Sequence, residues 1–229
     1  MTGLKEIAII DYGAGNLRSV VNAVSRLGYQ PKVTSRAADL LAAPLVILPG
    51  VGAAAAAMAR LKELGLDDTI RRLITADRPF LGICLGLQML FTATAEGGKH
   101  KCLDIFSGQV HKLPPGLKTP HMGWNQVKQT VAHPIFAGIP DNANFYFVHS
   151  YYAAPEDKTL LVGETEYSVT FCSVIARGNL VATQFHPEKS GEIGLKFLTN
   201  FISLATPERW CVCGDDNDQD NKSKVPHNR

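Results

Sequence analysis

Short apolar runs alternate with amphipathic segments through the first half of the chain. An apolar run at residues 7–10 precedes a segment in which Leu17, Val20 and Val24 share one helical face, and Gly28 ends it. The same reasoning predicts strands at residues 32–34, 45–48 and 78–81, and helices at about residues 53–64, 69–76 and 87–91. This alternation is typical of parallel strands with helices on both faces of the sheet.

The pattern changes between about residues 106 and 185. Strand-like runs at residues 145–148, 160–162, 169–171 and 180–183 follow one another with turn residues between them, which predicts a mixed or antiparallel part added to the parallel sheet. A last helix is predicted at residues 190–204. Residues 207–229 are polar and lack periodicity, so they are predicted to form a disordered tail.

Composition and charge exclude several classes of protein. The 229 residues are 45% hydrophobic and 19% charged, which is ordinary for a soluble globular enzyme, and a net charge of +2 gives no reason to expect nucleic-acid or membrane partners. We expect neither a signal peptide nor a membrane span. The five cysteines are scattered along the chain, so we predict no disulfide framework, which fits a reducing cytosol. Cys211 and Cys213 in the tail have no further ligand residues nearby and make a poor metal site.

The segment around Cys84 has the form of a nucleophile elbow. Gly82 and Gly86 flank the cysteine between a predicted strand and a predicted helix, and these glycines permit the tight turn that presents a nucleophilic side chain. A helix start also favours the thiolate form of a cysteine. The alternative is that Cys84 is a small apolar residue of the core.

A base and a carboxylate follow far along the chain. His186 ends an apolar strand, and Glu188 lies two residues later, where an extended backbone directs both side chains the same way. The alternative is an ordinary strand-to-helix turn with an acidic residue near the helix start. Backbone amides at Leu85 and in the loop at residues 49–52 are candidate oxyanion donors, although that loop also suits a plain strand-helix connection.

Together these segments resemble the class I (triad) glutamine amidotransferases, and within them the HisH-type glutaminase subunits of imidazole glycerol phosphate synthase. The resemblance extends from residue 7 to about residue 204. It is carried by residues 10–17 (IDYGAGNL), 48–52 (LPGVG), 82–88 (GICLGLQ), 120–125 (PHMGWN), 145–151 (FYFVHSY) and 184–190 (QFHPEKS). The first and fourth of these segments are the most specific.

The resemblance implies a flavodoxin-like, three-layer class I glutaminase domain at residues 1–206, with a mixed, mainly parallel central sheet and a smaller antiparallel part. Cys84 would attack the side-chain amide of glutamine and release ammonia, His186 would transfer protons, and Glu188 would orient His186. The backbone amides of Val51 and Leu85 would bind the oxyanion. The residues expected to line the glutamine pocket are Gly52, Gln88, Glu96, Ser150 and Tyr151. For Glu96, an exposed position before two glycines is the alternative.

The resemblance also implies a partner. Ammonia would pass to a separate (β/α)8 cyclase subunit, which converts PRFAR to imidazole glycerol phosphate and AICAR in histidine biosynthesis, so we expect a cytoplasmic heterodimer without cofactor or metal. The residues expected near that interface are Asn16, Arg18, Met122, Trp124, Asn125, Tyr146 and Lys189. Two other functions remain open at this point: a thiol peptidase or related hydrolase, and a non-catalytic scaffold. The first would cleave peptides without a partner, and the second would not need Cys84.

Overall fold

The computed structural model describes residues 6–13 and 16–204. The predicted tail at 207–229, with Cys211 and Cys213, lies outside these residues. The strands are β1 (Glu6–Ile10), β2 (Gln30–Thr34), β3 (Val46–Gly50), β4 (Phe80–Cys84), β5 (Phe91–Thr94), β6 (His100–Lys101), β7 (Phe106–Lys112), β8 (His121–Gln129), β9 (Ala143–His149), β10 (Tyr151–Pro155), β11 (Leu161–Tyr167), β12 (Val169–Arg177) and β13 (Leu180–Thr183). The helices are α1 (Leu17–Arg26), α2 (Ala37–Ala42), α3 (Ala54–Glu63), α4 (Leu66–Thr75), α5 (Leu85–Gln88) and α6 (Gly191–Leu204).

A large mixed sheet organises the part of the chain that the structure describes. Its nine strands run in the order β2-β1-β3-β4-β13-β12-β11-β8-β9. Pairing is parallel from β2 to β13 and antiparallel from β13 to β9. The predicted α/β fold is therefore confirmed, and the antiparallel strands of the second half extend the same sheet.

Helices cover both faces of the parallel strands. Along β1, Ile7 and Ile9 join one hydrophobic core, while Ala8 and Ile10 join the other, because successive side chains of a strand point to opposite faces. Helices α1 and α6 pack on the first core, and α2, α3 and α4 on the second. Strands buried on both faces explain why the apolar runs are continuous instead of alternating.

A smaller sheet lies beside the second core, in the order β10-β7-β5-β6. The predicted helix at residues 87–91 is wrong at its end: α5 stops at Gln88, and Phe91 begins β5, which pairs with β7 in parallel. A short buried apolar run suits a helix or a strand equally well, and here the available strand partner decides between them. Apart from this parallel pair, the smaller sheet is antiparallel.

The parallel register positions the candidate site. Gly50 at the end of β3 lies beside Cys84 at the end of β4, and Ile83 lies beside Thr183 at the end of β13. Three strands therefore end at one edge of the sheet, where ligand sites of α/β folds occur. Among the described residues, no helix is long and apolar enough to cross a membrane, and no group of acidic, histidine and cysteine side chains could hold a metal ion.

Candidate functional site

Cys84 has the backbone geometry of a sharp elbow. Its φ and ψ angles are 54° and −104°, in a region that non-glycine residues rarely adopt. A Cβ atom on Gly86 would overlap the carbonyl oxygen of Leu48, and one on Gly82 would lie 3.1 Å from the backbone of Gly86. The glycines of the motif are therefore needed because the turn packs directly against its neighbouring strands.

His186 and Glu188 form a buried pair. Nδ1 of His186 lies 2.8 Å from Oε1 of Glu188, and both side chains are 2% exposed. The turn that carries them is held to β9, because the amide of His186 donates to the carbonyl of Tyr146 and the amide of Tyr146 donates to the hydroxyl of Ser190. The imidazole is thereby fixed in position and orientation.

The electrostatic surroundings favour a protonated His186. Burial disfavours the imidazolium, but the Cys84 thiol and the Glu188 carboxylate outweigh it and raise the pKa of His186 to about 10. Nε2 of His186 is buried and makes no hydrogen bond within the described residues, although the thiol is near enough to act on the ring. Nε2 of His186 is therefore available for proton transfer to and from Cys84.

A cavity of about 420 Å³ opens beside the sulfur. The residues that line it are Val51, Gly52, Ala53, Cys84, Leu85, Gln88, Glu96, Pro120, Val148, His149, Ser150 and Tyr151. Every residue predicted for the oxyanion donors and the glutamine pocket is among them. Sequence reasoning missed Ala53, Pro120, Val148 and His149. Pro120, Val148 and His149 lie in segments that carried the resemblance, so membership of those segments could have identified them as candidates.

Glu96 is half-buried and lies at the N-terminus of α3. Its Oε2 accepts a hydrogen bond of 2.7 Å from the amide of Ala54, the first residue of that helix. A carboxylate is favoured at a helix N-terminus because the unpaired amides there carry partial positive charge. The side chain thus presents negative charge to the cavity, which suits a ligand ammonium group.

A further residue, Tyr12, supports the predicted oxyanion loop. Its buried hydroxyl donates to the carbonyl of Pro49 over 3.1 Å, and it lies so close to Gly50 that a Cβ there would be 2.6 Å from the hydroxyl oxygen. Burial, together with the Cys84 thiol, raises the pKa of this phenol, which therefore stays a neutral donor. Tyr12 lies in the segment at residues 10–17 that carried the resemblance, but no role was predicted for it.

The residues predicted for the partner interface lie on β8 and β9, at the start of α1 and in the turn after His186. Met122 and Trp124 on β8 are 63% and 58% exposed, and the Trp124 ring meets Tyr146 of β9 edge-on at 6.1 Å. Asn125 follows on β8 and is half-buried. The other three are Asn16 just before α1, Arg18 exposed on α1, and Lys189 in the turn after His186.

Comparison with known proteins identifies the family. Residues 8–204 match the class I glutamine amidotransferase family. The chain belongs to the class I glutamine amidotransferases. The resemblance stated from the sequence is therefore confirmed, and the elbow, the buried pair and the cavity are the candidate site of an amidotransferase.

Similar proteins are named as HisH subunits. A protein of Dehalococcoides mccartyi (strain CBDB1), "Imidazole glycerol phosphate synthase subunit HisH", is 54% identical over 203 residues, which cover 89% of this chain and 99% of that protein. A protein of the same name from Moorella thermoacetica is 52% identical over 88% of this chain and 96% of its own length.

Two solved structures have the same fold as this chain. A structure described as PurLQS from Thermotoga maritima has a TM-score of 0.68 at 17% identity, covering 87% of this chain and 98% of that one. A crystal structure described as a glutamine amidotransferase has a TM-score of 0.66, also at 17% identity, covering 86% and 98%. These confirm the class I amidotransferase fold predicted from the sequence.

Proposed function

We propose that this amidotransferase is the glutaminase subunit of imidazole glycerol phosphate synthase. It hydrolyses L-glutamine to glutamate and ammonia, and it passes the ammonia to a separate cyclase subunit that converts PRFAR to imidazole glycerol phosphate and AICAR in histidine biosynthesis. The observation that carries the glutaminase assignment is the thiol of Cys84 at the wall of the cavity, next to the buried His186–Glu188 pair. The HisH relatives support the choice of acceptor pathway.

The reaction follows from the groups in place. The Cys84 thiolate attacks the side-chain carbonyl carbon of glutamine, and the amides of Val51 and Leu85 bind the oxygen that gains negative charge. The His186 imidazolium gives its proton to the departing nitrogen, which leaves as ammonia, and a glutamyl thioester remains. Neutral His186 then takes a proton from water, whose oxygen attacks the thioester and releases glutamate and the thiolate.

The remaining parts of the proposal concern binding and location. Glu96 faces the substrate ammonium, and Gly52, Gln88, Ser150 and Tyr151 enclose the rest of the glutamine. We place the glutaminase domain at residues 1–206 and the protein in the cytoplasm, as a heterodimer without cofactor or metal.

We also propose that the glutaminase activity of the chain is low without its partner, because hydrolysis without an acceptor wastes glutamine. The loop at residues 49–52 would complete the oxyanion hole when the partner binds.

The first experiment measures ammonia transfer. The purified chain and its cyclase partner are assayed for imidazole glycerol phosphate with either glutamine or ammonium salt. Cys84→Ala should abolish synthesis from glutamine and leave synthesis from ammonia, whereas the control Cys102→Ala, another buried cysteine, should support both. Synthesis from glutamine that survives in Cys84→Ala would instead favour a scaffold. Peptide cleavage without the cyclase would favour a general thiol hydrolase.

The second experiment tests the interface. Trp124→Ala removes a large exposed aromatic ring, so we expect the Kd for the cyclase to rise by about 30-fold or more. Leu117→Ala is the control, because Leu117 is 51% exposed but belongs to none of the predicted interface positions. Equal Kd values for Trp124→Ala and the unmodified chain, measured by titration calorimetry, would place the interface elsewhere.

A further inference from the structure

A buried chain of polar groups ends on the sulfur of Cys84. Nε2 of Gln184 lies 3.6 Å from this sulfur, within the range of an N–H···S hydrogen bond, and Gln184 is fully buried. Oε1 of Gln184 lies 3.1 Å from Nε2 of Gln88, which also lies 2.8 Å from the carbonyl oxygen of Tyr151. The Gln184 amide is therefore held between the thiol and a second amide.

Only one assignment of the amide oxygen and NH2 positions of Gln88 and Gln184 satisfies all these hydrogen bonds. The carbonyl oxygen of Tyr151 can only accept, so Gln88 must present its NH2 group to it. The second hydrogen of that NH2 group then needs an acceptor, which Gln184 supplies with its Oε1 atom. Gln184 is consequently left with its own NH2 group directed at Cys84, because the opposite orientation of its amide would face two NH2 groups and break the bond to Gln88.

The Tyr151 carbonyl also lies within hydrogen-bond distance of buried His149, which in turn contacts buried His121. Nδ1 of His149 lies 2.9 Å from that carbonyl oxygen, and Nε2 of His149 lies 3.0 Å from Nδ1 of His121. Nε2 of His121 faces the NH2 group of Asn125, whose other hydrogen donates to the carbonyl of Glu166. Burial lowers the pKa of His121 to about 4, and burial with His121 beside it lowers that of His149 to about 3, so both rings are neutral with assigned tautomers.

We propose that Gln184 is a further catalytic residue, whose side-chain N–H donates to the Cys84 thiolate, and that Gln88 and His149 are positioning residues that hold this amide through the Tyr151 carbonyl. The inference deepens the proposed function, because the thiolate is the nucleophile of that reaction. A hydrogen bond to the charged form of a group favours that form. The other titratable groups around the sulfur are His186, with Glu188 behind it, and the Tyr12 phenol.

The test measures how readily Cys84 forms its thiolate. Gln184→Met keeps the length of the side chain and removes the N–H donor. The rate of alkylation by iodoacetamide is followed against pH by mass spectrometry of the peptide that carries Cys84. We expect the midpoint of the rate profile to move upward by about one pH unit and the rate at pH values below the midpoint to fall about tenfold, because a hydrogen bond to a charged group is lost.

The matched control is Thr183→Val. Thr183 precedes Gln184, is fully buried, and donates its hydroxyl to the carbonyl of Phe185 without touching the sulfur. This variant loses one buried hydrogen bond at the same place, and we expect the midpoint of the unmodified chain. An unchanged midpoint in Gln184→Met, or an equal shift in Thr183→Val, overturns the inference.

A second measurement covers the case in which Gln184→Met does not fold. In the unmodified chain, the side-chain amide resonance of Gln184 should titrate with the same midpoint as the alkylation of Cys84, and this titration should vanish in Cys84→Ser. A resonance that does not respond to pH overturns the inference. Neither measurement uses glutamine or the cyclase, so failure of the proposed function would appear separately, as absent glutamine turnover in the unmodified chain.

Discussion

Replacing His121 by phenylalanine should change the pH dependence of stability. His121 is 3% exposed, and its ring stacks on Tyr167 at 3.9 Å and on Phe147 at 4.9 Å, so a phenylalanine ring retains this packing. The folded protein keeps His121 and His149 neutral, with pKa values of about 4 and about 3, whereas an unfolded histidine titrates near 6.5. Below pH 6.5 the unfolded chain therefore binds more protons, and acid lowers stability.

The magnitude follows from the pH interval. Between pH 6.5 and pH 5 each neutral buried histidine costs about 1.4 kcal/mol per pH unit, so each contributes a loss of about 2 kcal/mol and the pair about 4 kcal/mol. His186 acts in the opposite direction: its pKa is raised to about 10 in the folded state, so its stabilisation is complete below about pH 6.5 and is lost as the pH rises through 10. That contribution is common to both proteins and cancels when they are compared.

Urea unfolding at pH 8, 7, 6 and 5 gives the free energy of unfolding for each protein. We expect His121→Phe to lose at least about 2 kcal/mol less than the unmodified chain between pH 8 and pH 5. At pH 8 it should be less stable by about 1–3 kcal/mol, because Nε2 of His149 loses its donor. His111→Phe is the control, since an exposed imidazole is hydrated in both states. Equal slopes for His121→Phe and the unmodified chain would refute the reasoning.

Three further variants test the site. Glu188→Gln keeps an acceptor for Nδ1 of His186 but removes the buried charge, so the kcat of glutamine hydrolysis should fall by about 100-fold or more with little change in KM; a fall of less than threefold would contradict the assigned role. Glu96→Gln keeps the hydrogen bond to the amide of Ala54, so KM for glutamine should rise about tenfold with kcat nearly constant; a change confined to kcat would argue against ammonium binding. Gly86→Ala places a methyl group against the Leu48 carbonyl, so urea denaturation should show a loss of about 1–3 kcal/mol, and unchanged stability would mean that the elbow can relax.

Long-range pairing explains which predictions succeeded and which did not. The strands at β1, β3, β4 and β13 were predictable because they are continuous apolar runs between turn residues. The short apolar stretch after Gln88 was misassigned because its conformation depends on β7, which comes later in the chain. Tyr12 and His149 escaped prediction for a related reason: each resembles an ordinary core residue until its hydrogen-bond partners are known.

The sequence by itself determined the local chemistry of this protein: a cysteine between two glycines at a strand-to-helix turn, a His-Pro-Glu turn that directs the carboxylate at the imidazole, and the α/β order of the strands. These features depend on backbone conformations that neighbouring residues impose on one another. Only the tertiary structure decided which groups surround the sulfur. The parallel pairing of β4 with β13 brings Gln184 to Cys84, and the pairing of β8 with β9 brings His121 to His149. Such contacts join residues far apart in the chain, so they exist only after the sheet has formed.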